Sequence, residues 1–322
     1  MSGPDEMIHD GLDGWLFLTG GSNYVTTLYD RDVGNLPDKT LSAWRRLIER
    51  RQEKCAALGI GYAHVVIPDK LTIYGHKQAK ALVDPDLAPS LRLQGMLAAG
   101  PAADSWIDLV TPMRAKRDIV DLYWKTDTHW TPEGCVFAYE RICERLGLKF
   151  IRDPYAGPRK EFHARMDLGL KLEPERWEQV REYDFAGAAR RVFVNKVGEI
   201  LENPAFGSEI HLGSRSIFEN EGARNPLRIM LFGDSYASQR ANFLTGLLAA
   251  TAQRVEFIWS SSLDWRHVEK CKPDILITEI AERFMTIVPR DRLVLRALEA
   301  RQIFRARRRQ FSRWLASKRA RL

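Results

Sequence analysis

The 322-residue sequence predicts an α/β protein, a three-layer α/β/α sandwich with a mostly parallel sheet, followed by a basic C-terminal helix. Three observations carry this expectation. Short apolar runs bounded by Gly or Pro alternate with segments of helical spacing, the pattern of β-α-β units. The length suits one large α/β domain or about two average ones. The composition, 45% hydrophobic, 28% charged and 10% aromatic, is that of an ordinary globular chain and excludes disordered, collagenous and membrane-spanning classes.

The elements follow in order. Residues 38–58 place Leu41, Trp44, Leu47, Ile48, Cys55 and Leu58 at helical spacing, opened by Asp38 and stopped by Gly59. Tyr62 to Ile67 is a strand between Gly61 and Pro68, and Ser105–Leu109 and Ile119–Tyr123 read as two further strand-like runs. Thr131 caps a helix that begins at Pro132 and runs to Leu146. From about 151 to 226 the periodicity weakens, so an insertion of loops and short elements is expected. Strand 227–232 then leads through Gly233-Asp234-Ser235 into a helix at 237–251. A strand at 255–259, a short helix around His267 and a buried strand at 275–280 complete the pattern. The expected organisation is a catalytic-type domain over 1–289 and a helix over 290–322.

Charge is unevenly distributed. The chain has 49 Lys/Arg against 42 Asp/Glu, but residues 301–322 contain nine bases and no acid, leaving 40 bases and 42 acids in the first 300. The basic balance therefore describes a tail, and a nucleic-acid partner is not expected. In the tail, Leu293, Leu295, Leu298, Ile303, Phe304, Phe311, Trp314 and Leu315 fit an amphipathic helix with a basic polar face. Such a helix suits peripheral contact with an anionic membrane through 301–322, or equally a solvated end or a partner-docking helix. The N-terminus carries acids where an export signal is positive, and no apolar run approaches the roughly 18 residues of a membrane span. Four dispersed cysteines read as free thiols. The expected location is cytoplasmic, or peripheral at the inner membrane.

The sharpest chemical signal is FGDSYAS (232–238), where a strand exit presents Ser235 beyond the sheet edge and a helix N-terminus would face a developing oxyanion. The same tripeptide also suits an ordinary helix-capping turn. A serine nucleophile needs a base and an orienting acid. Asp127 and His129 in YWKTDTHW (123–130) are two residues apart and supply both, although each also suits a capping role. Trp124 and Trp130 flank the pair as candidate sugar-stacking faces, and Tyr236 sits beside the serine. Asp69 and Lys70, after the first long strand, lie where α/β sheets keep their sites, or form a plain turn with a surface lysine. Glu279 and Arg283 read as a structural ion pair or helix cap. The other histidines lack a comparable acid, and no metal motif is present, so no metal is expected.

Five ordered blocks carry a resemblance: DGWLFL (13–18), VIPDKLTIY (66–74), YWKTDTHWTPEG (123–134), ENEGARNPLRIMLFGDSYAS (219–238) and KPDILITEIAERFM (272–285). Together they resemble the alginate O-acetyltransferase family, the AlgX/AlgJ type of the SGNH hydrolase superfamily. The resemblance implies an SGNH hydrolase-like fold in permuted order, with Asp127, His129 and Ser235 as the triad in that sequence. It implies acetyl transfer to a carbohydrate acceptor through an acetyl-serine, an acetyl donor rather than a bound cofactor, and a membrane-bound acetyl-supplying protein as partner. An O-acetylesterase with the same triad and a non-catalytic glycan-binding or scaffold subunit are the alternatives.

Overall fold

The computed structural model describes residues 7–21, 24–31, 36–155, 159–183, 187–206, 210–238 and 243–319, with side chains as far as Ser312. A hairpin of β1 (Ile8–Asp10) and β2 (Leu16–Leu18) opens the chain, and Trp15 stacks on Tyr74 with ring centroids 3.9 Å apart. Helix α1 (Asp38–Ala57) turns Leu41, Trp44, Leu47, Ile48 and Cys55 inward, as their spacing predicts. Its N-cap is Pro37; Asp38 lies in the first turn and pairs with Arg92 at 2.5 Å. Gly59, at φ +70°, reverses the chain into β3 (Gly61–Ile67), whose last six residues are buried.

A short helix α2 (Lys70–Tyr74), helix α3 (Pro89–Leu97), strand β4 (Trp106–Ile107) and helix α4 (Val110–Lys116) follow. The run Ile119–Tyr123 is not a strand. Ile119 is 81% exposed, while Leu122 and Tyr123 are buried by a loop tied down through Leu122 N–H to Tyr74 Oη and Tyr123 Oη to the Pro68 carbonyl. Its apolar residues anchor a loop whose one ladder contact is the bridge of Tyr123 with Trp130. Helix α5 (Pro132–Arg145) starts as expected, with Thr131 Oγ1 accepting from Gly134 N–H.

The stretch expected to be loops holds more order than its pattern suggests. Strands β5 (Arg159–Ala164) and β6 (Glu178–Tyr183) form an antiparallel hairpin. Strands β7 (Arg190–Val194) and β8 (Arg215–Glu219), separated by α6 (Lys196–Glu202), extend the central sheet. Residues of β5 and β7 are almost all exposed, so the alternation that marks a half-buried strand never develops in the sequence.

Strand β9 (Asn225–Gly233), helix α7 (Leu244–Thr251), strand β10 (Ala252–Trp259), helix α8 (Trp265–Cys271), strand β11 (Ile275–Ala281) and helix α9 (Leu295–Arg319) complete the chain. The seven-stranded sheet has the order β4-β3-β11-β9-β10-β8-β7. The first five strands are mutually parallel and the last two antiparallel. Helices α1 and α3 pack together beside β3, and α5 and α7 pack together beside β4 and β10, giving two helical layers. Because β3, β11 and β9 are adjacent and parallel, the turns after Ile67, Ala281 and Gly233 emerge side by side at one edge.

One carboxylate joins the last two helices to this frame. Asp264 caps α8 by accepting from His267 N–H at 3.2 Å and accepts from Leu295 N–H at 2.9 Å, where α9 begins. Replacing Asp264 by Ala is expected to cost about 1–2 kcal/mol, the usual loss for a capping carboxylate. Asp264→Asn should retain most of it, as read by urea denaturation.

Candidate active site

The site is assembled on those adjacent turns. Gly233, at the end of β9, is required by close approach: a Cβ there would lie 2.4 Å from Glu279 Oε2 and 2.9 Å from the Ala237 Cβ. Asp234 then folds the chain over, accepting from Tyr236 N–H at 3.0 Å and from Ala281 N–H at 2.8 Å, while its own N–H donates to Glu279 Oε2 at 2.8 Å. Ser235 is thereby held at the sheet edge, half-buried. The expected helix does not start here. Ser235 to Ala237 form a turn, closed by Ser238 N–H donating to the Asp234 carbonyl at 3.0 Å with Ser238 at φ +45°, residues 239–242 lie outside the described residues, and α7 begins only at Leu244.

His129 reaches Ser235 from the loop before α5, with Nε2 to Oγ at 2.9 Å. On the other side of the ring, Nδ1 lies 2.7 Å from Asp127 Oδ1, which also accepts from His129 N–H at 2.8 Å. Burial acts to raise the Asp127 pKa, but the hydrogen bonds and charge of His129 outweigh it and hold this carboxyl down at about 2. An ionised carboxylate only accepts, so Nδ1 carries the imidazole proton and Nε2 is left to accept from the serine hydroxyl. This arrangement places a base on the serine and an anion behind the base.

Asp69 and Lys70 line a small cavity with Leu18, Val25, Leu71 and Thr128, and both are tied into the protein by their own hydrogen bonds. Lys70 is 4% exposed, and its ammonium donates to the carbonyls of Trp124, Lys125 and Asp127 at 2.7–2.9 Å. It is a buried clamp on the histidine loop, not a surface lysine. Burial pulls its pKa down to about 7, against the charges of Asp127, Asp167 and Glu178. Asp69, also buried, pairs with Arg283 at 3.0 Å, so the expected partnership of Glu279 with Arg283 is replaced by one between the turns after β3 and β11. Arg283 also donates to Tyr236 Oη, which in turn donates to the Thr128 carbonyl at 2.6 Å.

Tyr236 is fully buried between the rings of His129 and Trp130, both 5.0 Å away, and Trp130 is 3% exposed, so neither offers a stacking face. Trp124 lines a separate polar groove of about 360 Å³ with Asp121, Lys125, Glu161, Glu178 and Arg181, not the space around Ser235.

Several supporting residues gave no sequence signal. Asp167 accepts from Thr128 N–H and Oγ1 at 2.8 and 2.6 Å, and Glu178 accepts from the amides of Lys125 and Thr126 and from Thr126 Oγ1 at 2.7–2.8 Å. Both come from the aperiodic insertion, more than 35 residues from the loop they hold. Glu279 is buried beneath the serine turn, and burial together with the Asp234 charge pushes its pKa well above the ordinary carboxylate value.

Among the described residues, two sets of side chains could reach a single metal ion: Asp127, His129 and Asp167, and Glu256, His267 and Cys271. The first already uses both ring nitrogens of His129 on Asp127 and Ser235. In the second, His267 meets Glu256 at 2.6 Å, an acid that its sequence surroundings do not reveal, and Arg215 stands 3.6 Å from the same carboxylate.

The fold and the serine, histidine and aspartate at its edge define an SGNH hydrolase-like protein. Residues 8–171 match the family model ALGX, described as the SGNH hydrolase-like domain of acetyltransferase AlgX, and the chain belongs to that family. The matched stretch includes Asp127 and His129, and Ser235 lies beyond it. No curated protein matches the sequence.

Among solved structures, PatB1 of Bacillus cereus, determined with a sulfonyl adduct, is similar at 15% identity and a TM-score of 0.61, over 87% of this chain and 98% of that one. The O-acetyltransferase domain of Pseudomonas putida AlgJ is similar at 15% identity and 0.56, over 91% and 98%. A DHHW family protein from Eubacterium siraeum is similar at 12% identity and 0.58, over 89% and 94%. At these identities the likeness is one of fold.

Two outcomes follow from the buried charges. Asp127 has a folded pKa of about 2 against an ordinary 3.8, so its contribution, about 2 kcal/mol, is complete above about pH 4 and is lost as pH falls towards 2. Asp127→Asn should therefore flatten the fall in unfolding free energy between about pH 4 and about pH 2, measured by urea titration at each pH. Lys70→Met removes a donor from three loop carbonyls, of which that of Lys125 keeps the Leu16 N–H. It is expected to lower stability by at least about 2 kcal/mol, seen as a reduced denaturation midpoint, and to lower the rate of any reaction that needs His129 in place.

Proposed function

We propose that this protein is a serine-dependent O-acetyltransferase that acetylates a carbohydrate through an acetyl-serine. The observation that carries the reading is the continuous line from Ser235 Oγ to His129 Nε2 at 2.9 Å and from His129 Nδ1 to Asp127 Oδ1 at 2.7 Å. Membership of the AlgX family supports acetyl as the group and a polysaccharide-type acceptor as its destination.

In the first half-reaction Ser235 Oγ attacks the carbonyl carbon of an acetyl donor while His129 Nε2 takes the hydroxyl proton. The resulting imidazolium is stabilised by the Asp127 carboxylate, and the oxyanion can be met by the Ser235 backbone N–H. The bond between the acetyl carbon and the donor's leaving atom then breaks, and that atom receives the proton from His129. In the second half-reaction His129 removes the proton from a sugar hydroxyl, whose oxygen attacks the acetyl carbon. Ser235 leaves as the alkoxide and recovers the proton, which closes the cycle without a metal or redox step.

A second reading is favoured by the openness of the base: the His129 side chain is 30% exposed, so water can reach the acetyl-serine and the same residues would act as an O-acetylesterase. The two differ only in which hydroxyl reaches the acyl carbon first.

Turnover of a chromogenic acetyl ester tests the site. Ser235→Ala and His129→Ala are each expected to lower kcat by about 10³-fold or more, and an unchanged rate in Ser235→Ala overturns the assignment. Adding an oligosaccharide acceptor separates the two readings: acetyl recovered on sugar at the expense of free acetate supports transfer, and acetate alone supports the esterase.

A further inference from the structure

We infer that the outward face of α9 is a docking surface for an anionic lipid membrane. Its inner face is accounted for. Leu295, Gln302 and Ala306 are buried, Ala306 joins Val197, Ile200 and Ile210 in a small core with α6, and Leu298 meets Gly213 closely enough that a Cβ at that glycine would lie 2.9 Å away. Residues 295, 298, 302 and 306 follow a helical stripe, so the opposite stripe must face away from the protein.

That outer stripe is Arg301, Phe304, Arg308 and Phe311, spaced three, four and three residues apart. Phe304 is 66% and Phe311 60% exposed, and Arg301 and Arg308 are exposed, as are Arg305 and Arg307 to either side. Two exposed aromatic rings interleaved with arginines on one helix stripe are the composition of a face that lies in a membrane interface.

Charge selects the occupant. Residues 301–322 carry nine bases and no acid, whereas the remaining 300 residues are nearly balanced. A second copy would set arginines against arginines, and the buried centre of a protein interface is depleted in charge, unlike a stripe in which every Phe has an Arg neighbour. A bilayer with anionic headgroups meets both demands at once. Phenylalanine rings enter the boundary between headgroups and acyl chains, and guanidinium groups bind lipid phosphates in the same plane. No helix among the described residues is long and apolar enough to cross a membrane, so this contact is one of lying on the surface. It is independent of the chemistry at Ser235.

The test is co-sedimentation of the full chain with phosphatidylcholine vesicles, with and without phosphatidylglycerol. Binding is expected only when phosphatidylglycerol is present, and is expected to fall when salt is raised to about 0.5 M, where charges are screened within about 4–5 Å. The double variant Phe304→Ser/Phe311→Ser and the triple variant Arg301→Gln/Arg305→Gln/Arg308→Gln should each weaken partitioning about tenfold or more. Both should keep the wild-type circular dichroism spectrum and acetyl-ester turnover, because the substituted side chains point away from the packed face. The proposal is overturned by equal binding to neutral and anionic vesicles, by variants that bind as well as wild type, or by a full chain that binds no vesicle and instead captures a protein or nucleic acid.

Discussion

The histidine loop depends on one buried ammonium. Residues 123–130 have no regular secondary structure beyond a single bridge between Tyr123 and Trp130, so most of their buried carbonyls lack a ladder to satisfy them. Lys70 supplies three donors to that loop from a position where its own charge is costly enough to bring its pKa down to about 7. The cost is offset by the carbonyl dipoles and by the surrounding carboxylates of Asp127, Asp167 and Glu178. Lys70 shares the work of holding His129 against Ser235 with Asp167, Glu178 and Tyr236, each of which bonds the same loop.

The serine is positioned by an equally buried acidic frame. Asp234 and Glu279 fold the turn after β9 against the end of β11, and Glu282 accepts from Asp69 N–H, Thr72 Oγ1 and from both the amide and hydroxyl of Ser90, joining the turn after β3 to the same point. Arg283 is the cation within this group and bridges Asp69 to Tyr236. Three adjacent parallel strands thus end in side chains that lock each other, and Ser235 sits on that platform. Its rigidity keeps Ser235 and His129 within hydrogen-bond reach before any substrate arrives.

Much of this was legible in the sequence. The principal strands and helices announced themselves because their buried faces repeat at the correct period, whereas the DTH and GDS segments each suit a capping turn as well as catalysis, and only the fold shows that they meet. The insertion was opaque for a physical reason: β5 and β7 are solvent-facing and short, so burial imposes no pattern on them. The surface-lysine alternative for Lys70 fails because a sequence shows charge but not the carbonyls that make its burial tolerable, and the pairing of Asp69 with Arg283 is likewise invisible in it. Trp130 and Tyr236 were misread, since aromatic rings near a catalytic histidine serve equally well as packing, and here they are packing. The distant supports Asp167 and Glu178 required the fold itself.

The account rests on Ser235 as the atom that carries the acyl group. Its most direct measurement is mass spectrometry of the full chain quenched during turnover of an acetyl ester, followed by peptide mapping. A single acetyl group on the peptide containing Ser235, absent from Ser235→Ala and lost when acceptor is added, is the predicted result. Acetylation confined to another residue, with Ser235 unmodified throughout turnover, would contradict it.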